Sequence, residues 1–135
     1  LQWAALGDAL GSPNRWMSPT TDGTRSLAVH TPHIGGVLHE YRVDGQRLVS
    51  RAVAHDVSTH RIGSRELDLA LWLGPLLVLP QQNGLALRVL NAGAAWAEVA
   101  TVALPARVAM TAPLPGGHGV AALLDDGRVM GVAVA

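Results

Sequence analysis

The stretch Gly36–Ala54, GVLHEYRVDGQRLVSRAVA, decides the fold. Its two apolar runs flank Asp44-Gly45, a pair that suits a tight hairpin because both residues tolerate positive φ. In the first run, every second residue from Val37 to Val43 shares one face. This period of two is typical of a strand, whereas a helix has a period of 3.6. The stretch therefore predicts a β-hairpin.

Turn signals of the same kind recur along the chain, mostly roughly 8–13 residues apart, the spacing expected of short antiparallel strands. Between them lie short runs rich in Val, Leu and Ala, so the sequence predicts an all-β fold. Two segments, LQWAALGDAL and SRELDLALWL, fit a helix or a buried strand equally well, and both readings stay open. The other predicted strands are Ser26–His30, Arg47–Ala54, Leu76–Pro80, Leu85–Leu90, Ala97–Leu104, Gly119–Leu124 and Arg128–Val134.

An internal repeat organises these strands. The segment Thr24–Val53 can be laid on Leu73–Leu104, so that Val29 meets Val78. A unit of about 45–50 residues with four strands is the period of a propeller blade. We therefore predict a single domain, residues 1–135, of consecutive antiparallel four-stranded sheets arranged as about three β-propeller-like blades. The expected units are about 18–66, 67–114, and 115–135 together with 1–17, with Leu1–Leu6 pairing with the last strands, Val120–Val134.

The unit Asp22–Val49 resembles the FG-GAP/VCBS-type repeats of integrin-α-like β-propellers, which occur in secreted bacterial proteins. The resemblance implies a propeller fold and a secreted or periplasmic location. In that family an Asp-x-Asp-x-Asp-Gly loop binds Ca²⁺, because Ca²⁺ needs six to eight oxygen ligands. The matching segment here, Ser18–Gly23, keeps Asp22 as its only carboxylate. The resemblance therefore implies a degenerate member that lacks the calcium loops.

Composition excludes several classes of function. The net charge is zero, and the ten cations are all arginines that are scattered along the chain, so no nucleic-acid surface is expected. The absence of Lys excludes a P-loop, and the absence of Cys excludes disulfides and thiolate chemistry. No apolar run reaches 18 residues, so no membrane span is expected, and no signal peptide is recognised in this chain.

The six histidines raise the question of a metal or catalytic site. Pro32 separates His30 from His33 and disfavours a helix there, so the sequence leaves their relative geometry open. No HExxH motif is present, and Ser64 lacks the G-x-S-x-G context of a nucleophile elbow. We therefore predict no catalytic residues, no metal ligands and no cofactor.

The most polar stretch is the loop Ala54–Glu66, and loops on a rigid β scaffold commonly carry recognition. The sequence favours a non-catalytic binding module for a protein or glycan partner. The alternative is a hydrolase or metal-dependent enzyme that uses the histidine-rich loops. An incomplete propeller has open sheet edges, so we expect self-association or a longer parent chain. The predicted binding residues are His33, His60, Arg61, Arg65 and Trp16.

Overall fold

A computed structural model of the chain describes residues 4–11 and 16–134. Within these ranges the fold is all-β, with a single turn of 3-10 helix at Ala92–Ala94. None of the described residues forms a helix with the length and apolar character needed to span a bilayer. The strands are β1 Thr20–Thr21, β2 Ser26–His30, β3 Val37–Asp44, β4 Arg47–His55, β5 Leu71–Leu73, β6 Leu76–Pro80, β7 Ala86–Asn91, β8 Ala97–Ala103, β9 Val108–Pro113, β10 Gly119–Leu124 and β11 Val129–Ala133.

The strands form three consecutive antiparallel sheets. The first has the order β1-β2-β3-β4, the second β5-β6-β7-β8 and the third β9-β10-β11. Each strand is hydrogen-bonded to its neighbour in the sequence, so each sheet is a simple meander. The predicted fold class is therefore confirmed: small antiparallel sheets follow one another along the chain, an arrangement consistent with propeller-like blades. The third sheet has three strands among the described residues.

The β3–β4 hairpin forms where the sequence predicts it. Asp44 pairs with Arg47 across a two-residue turn, and Gly45 there has φ +63°. The register continues to Val37 opposite His55, with one β-bulge after Leu38. This hairpin is the longest strand pair among the described residues, and its turn chemistry sets its register.

Two features differ from the sequence prediction. Strand β9 was not among the predicted strands. It belongs to the third sheet, whereas the expected boundary between residues 114 and 115 would place it in the second unit. The expected pairing of the N-terminal segment with the last strands is wrong at Leu6. Leu6 instead forms a parallel bridge with Arg47, and the Leu48 N–H donates to the Leu6 carbonyl at 3.1 Å. The segment joins β4 because β4 is an edge strand with unpaired backbone groups. Residues 1–3 of that predicted pairing lie outside the described ranges.

The core consists of two apolar clusters, one on each side of the middle sheet. Leu77 and Leu79 of β6 pack toward the first sheet, while Val78 between them packs toward the third. Burial on both faces explains why β6 is a continuous apolar run rather than an alternating one. Val29 and Val78, which the repeat aligns, lie in the first and the second cluster respectively. The first cluster also contains Leu27, Leu38, Val57 and Leu90, and the second Leu87, Val89, Val108, Val120, Ala122 and Leu124.

Candidate functional site

Loops from all three sheets meet at one end of the strands. The β2–β3 and β6–β7 turns and the β4–β5 connection lie at this end, as do the β8–β9 connection and the β10–β11 turn, because each meander reverses direction at every strand. Val57 bridges to Gln81, which joins the first sheet to the second. The Asp125 N–H donates to the Arg107 carbonyl at 2.8 Å, which joins the β10–β11 turn to the β8–β9 connection. The loop end is therefore one connected surface.

The backbone is strained at this end. Thr31 has φ +48° and Asp56 has φ +58°, in the left-handed region that a β-branched residue such as threonine rarely enters. The Thr31 carbonyl accepts hydrogen bonds from the N–H groups of Ile34 and Gly36 at 2.9 and 3.1 Å. These bonds stabilise the strained turn, which carries His33. Strain of this kind is found preferentially at functional sites.

His33 and His60 form a hydrogen-bonded pair although 27 positions separate them in the sequence. The Nε2 of His60 lies 2.8 Å from the Ser64 carbonyl oxygen, which can only accept, so this nitrogen carries the proton. In the neutral ring Nδ1 of His60 is then an acceptor, and Nε2 of His33 donates to it across 2.5 Å. The Trp16 ring stacks on His60 with centroids 5.0 Å apart and planes 2° from parallel. The His60 ring is thus held at its edge by the Ser64 carbonyl and on its face by the Trp16 ring.

Ser58 has a structural part in this arrangement. It is 3% exposed, and its hydroxyl lies 3.0 Å from the Pro32 carbonyl oxygen and 2.6 Å from that of His60. It also accepts a hydrogen bond from the His60 N–H at 3.2 Å. These bonds tie the two histidine-bearing loops together. Because the Ser58 hydroxyl is buried and engaged with backbone groups, it is not placed as a nucleophile beside an imidazole.

A cleft of about 290 Å³ opens beside the histidine pair. Arg61, on one wall, forms an ion pair with Asp125 of the β10–β11 turn, with Nη1 and Oδ2 3.1 Å apart. Arg107, from the β8–β9 connection, is a second arginine in the lining. The cleft is lined by Pro32, His33, His60, Arg61, Ile62, Gln82, Asn83 and Arg107.

The structure brings together most of the residues predicted for binding. His33, His60 and Arg61 line the cleft, and Trp16 stacks on its histidine pair. Arg65 lies on the same loop but is exposed and does not line the cleft. Sequence reasoning missed five lining residues, of which three, Gln82, Asn83 and Arg107, are polar and the other two are Pro32 and Ile62. Asn83-Gly84 is one of the turn signals in the sequence, which by itself does not indicate binding. No local signal marks Arg107, because its place depends on how the second and third sheets pack.

His30 and His39 form a separate pair on the neighbouring strands β2 and β3. Their rings stack with centroids 3.7 Å apart, and His30 is hydrogen-bonded to the Tyr41 hydroxyl. Burial, with the nearby charge of His39 adding to it, lowers the pKa of His30 to about 4. Burial also lowers the pKa of His39, with a further contribution from His55. Among the described residues, no three His, Asp or Glu side chains are grouped so that they could hold a metal ion.

Asp22, the one acid in the segment that resembles a calcium loop, is engaged within its own turn. Its carboxylate accepts hydrogen bonds from the N–H groups of Arg25 and Thr24 at 2.6 and 2.9 Å. The Arg25 guanidinium lies 2.7 Å from its other oxygen. The backbone bond from Arg25 and then that from Thr24 lower the pKa of Asp22 well below its usual range. Asp22 therefore caps the β1–β2 turn.

Comparison with known proteins gives no relative from which a function could be carried over. No protein-family model, curated protein or solved structure matches the chain.

Proposed function

We propose that the chain is a non-catalytic binding module on a β-propeller-like scaffold, and that its cleft receives a polar group of a protein or glycan partner. One observation carries the proposal: His33, His60 and Arg61 line one cleft, and Trp16 stacks on its edge. These residues come from three separate segments of the chain. Loops held by a rigid β scaffold commonly carry recognition, and here those of three sheets converge.

The chemistry of the cleft suits contact with a polar surface. The indole of Trp16 is 36% exposed and presents an aromatic face beside the imidazole of His60. Arg61, Asn83 and Arg107 add guanidinium and amide donors. A few convergent polar groups beside an aromatic or apolar wall are the usual composition of a binding site.

A hydrolase or metal-dependent enzyme, the second candidate, has less support. A nucleophilic serine needs an adjacent general base. Ser58 is instead hydrogen-bonded to the carbonyl groups of Pro32 and His60, and Ser64 accepts from the Glu66 N–H at 3.0 Å. The His33–His60 pair has its nearest ring nitrogens directed at each other. This arrangement favours recognition over general-base catalysis.

We further propose that the chain is a degenerate FG-GAP/VCBS-type propeller segment with a secreted or periplasmic location. Three consecutive sheets and the repeated packing of Val29 and Val78 support this assignment. Sequencing of the parent reading frame on both sides of residues 1–135 tests it. Further units of about 45–50 residues, the blade period, and a secretion signal are expected. A frame with neither would contradict it.

Binding to defined arrays of glycans and peptides tests the proposed function. We compare the wild-type chain with the double variant Trp16→Ala/His33→Ala, and with His118→Ala as the control. His118 lies in the β9–β10 turn, at the opposite end of the strands. The double variant should bind the array probe that the wild-type chain recognises at least about tenfold more weakly, because contacts at the centre of a binding site dominate affinity. The control should bind like the wild type.

Equal binding by all three proteins, with circular dichroism showing that each is folded, would contradict a recognition role for the cleft. Hydrolysis of an array probe by the wild type and not by the double variant would favour the enzyme instead. The array also decides between a glycan and a peptide, because both classes are presented under the same conditions.

A further inference from the structure

We propose that the cleft binds an oxyanion, the chemistry that carboxylates, sulfates and phosphates share, through Arg61, Arg107 and the side-chain amide of Asn83. This inference rests on the proposed function and deepens it, because it names the chemical group that the cleft receives.

The charge of the cleft is the first argument. In the part of the chain that the structure describes, its lining includes two arginines, Arg61 and Arg107, and neither aspartate nor glutamate. Asp125, outside the lining, neutralises Arg61 through the ion pair at 3.1 Å. Arg107 has no ion-pair partner in the part of the chain that the structure describes. One positive charge is therefore uncompensated at the cleft, and a planar guanidinium matches the geometry of an oxyanion.

The second argument concerns hydrogen-bond donors that have no acceptor. The Nε of Arg61 is buried, and within the described residues it makes no hydrogen bond. Buried donors are almost always paired, so such a group calls for an acceptor. The Asn83 Oδ1 accepts from the Leu85 N–H at 2.9 Å, which leaves its NH₂ end as the donor not used by the turn. An oxyanion supplies several acceptors at once.

The two walls of the cleft are held in place before any ligand arrives. The Arg107 carbonyl accepts from the Asp125 N–H at 2.8 Å, and the next residue, Val108, donates to the Gly84 carbonyl at 3.0 Å. Gly84 has φ +77°, and a Cβ built there would lie 3.5 Å from the Cβ of Arg107. The Arg107 stem therefore packs against Gly84. Groups fixed in this way lose less entropy on binding.

The volume sets the size of the ligand. At about 290 Å³, the cleft lies at the lower end of the range for small-molecule sites, roughly 300–1,000 Å³. It can hold a single oxyanion with part of the molecule that carries it.

Titration with inorganic and organic anions tests the inference. ¹H–¹⁵N spectra of the full chain are recorded as sodium sulfate, sodium phosphate or sodium acetate replaces sodium chloride at constant ionic strength. We expect saturable shifts of the Arg61 Nε–H, Asn83 side-chain NH₂ and Gly84 backbone signals. The anion that binds most tightly identifies the class of oxyanion.

Three substitutions, at Arg107 and Arg65, distinguish binding at the cleft from nonspecific attraction of anions to positive charge. Arg107→Gln should raise the dissociation constant about tenfold, the effect of losing one charged hydrogen-bonding group. Arg65→Gln removes the same charge from the neighbouring loop but outside the cleft, and should change it less than about twofold, because exposed charges are screened. Arg107→Lys keeps the charge and loses the planar fork, so its dissociation constant should lie between those of the wild type and Arg107→Gln.

Equal weakening by Arg107→Gln and Arg65→Gln, or shifts that do not saturate with any of the three anions, would overturn the inference. If the array then finds an uncharged probe whose binding depends on Trp16 and His33, the oxyanion inference alone fails and the proposed function stands. If the anions bind saturably and no array probe depends on those two residues, the proposed function fails and the oxyanion site stands.

Discussion

The α-carbon of Gly36 faces the carbonyl oxygen of Val57 so closely that a Cβ built on Gly36 would lie 1.6 Å from that oxygen. The Val57 N–H also donates to the Gly36 carbonyl at 3.3 Å. This contact joins the β2–β3 turn, which carries His33, to the connection that carries Ser58 and His60. The two histidine-bearing loops therefore meet at a point where only glycine fits.

Replacement of Gly36 should be severely destabilising. Gly36→Ala should lower the free energy of unfolding by about 3 kcal/mol or more, because the new methyl group overlaps backbone atoms and φ is +44°. Gly35→Ala is the matched control: its φ is +81°, but a methyl group there would meet no atom within 4 Å beyond its chain neighbours. It should cost only about 1–2 kcal/mol. Urea denaturation measures both, and equal losses would argue against the close contact.

The stability of the chain should fall with acid through the His30–His39 pair. Burial, followed by the charge of His39, holds the pKa of His30 at about 4, below the usual 6.5. Between these two pH values the His30 side chain is protonated in the unfolded chain but neutral in the folded chain. The contribution of His30 to the free energy of unfolding is therefore complete above pH 6.5 and is lost as the pH falls to about 4. We expect a loss of about 2 kcal/mol from this group, since burial is incomplete and each pKa unit corresponds to about 1.4 kcal/mol.

Urea denaturation between about pH 7 and pH 4 measures this dependence. His30→Gln should flatten it, because glutamine does not titrate. The control, His118→Gln, replaces an exposed histidine in the β9–β10 turn and should leave the slope unchanged. A slope that is the same in the wild type and in both variants would show that the His30 environment is not the cause.

Arg88 of β7 should stabilise the contact between the first and second sheets. It forms an ion pair with Glu98 at 2.5 Å, and its guanidinium also donates to the carbonyl groups of His55 and Asp56. The side chain is only 17% exposed. Arg88→Met should therefore lower the free energy of unfolding by about 1–3 kcal/mol, because backbone acceptors lose a charged donor.

Arg47 provides the control for that measurement. Its ion pair with Asp8 at 2.8 Å is 65% exposed on the arginine side and 81% on the aspartate side. Arg47→Met should cost less than about 1 kcal/mol, since exposed ion pairs contribute little. A thermal or urea denaturation series in which both substitutions cost the same would contradict the bridging role of Arg88.

The outer face of the third sheet should promote self-association. Leu123 of β10 pairs with Met110 of β9 on one side and with Val129 of β11 on the other. Met110 is 51% exposed and Val129 is 67% exposed. An apolar row beside an open sheet edge recruits other surfaces. We expect the sedimentation coefficient to rise with concentration, and Val129→Glu to reduce that rise. Val43→Glu, on the first sheet, should have no such effect. A single monomeric species at all concentrations would contradict this expectation.

Local sequence signals predict the fold where the structure depends on local chemistry. Asp44-Gly45 and the alternation beginning at Val37 specify the β3–β4 hairpin without reference to the rest of the chain. The β9 strand could not be predicted in this way, because VAMTAP contains two alanines and a terminal proline, which are depleted in strands, and its pairing with β10 depends on tertiary contacts. The parallel bridge of Leu6 to Arg47 is likewise a long-range contact that no local pattern indicates.

The same distinction applies to the candidate site. His33, His60 and Arg61 could be predicted because they are polar residues on loops of a β scaffold, although their role in binding stays a prediction. Arg107 could not, since it reaches the cleft only through the packing of the second and third sheets. The tautomer of His60 also depends on a contact, the one with Ser64, that appears only in three dimensions.

The meander connectivity has a consequence for how the chain acquires its structure during synthesis. Every strand in the three sheets is hydrogen-bonded to its neighbour in the chain, so loop closure within each sheet costs little entropy. The first sheet can assemble as soon as β4 has left the ribosome. The middle sheet can then bury one apolar face against the finished first sheet, whereas Val78 and Val89 on its other face stay uncovered until β10 has been made. Translation thus orders assembly from the N-terminus to the C-terminus, and the second core cluster closes last.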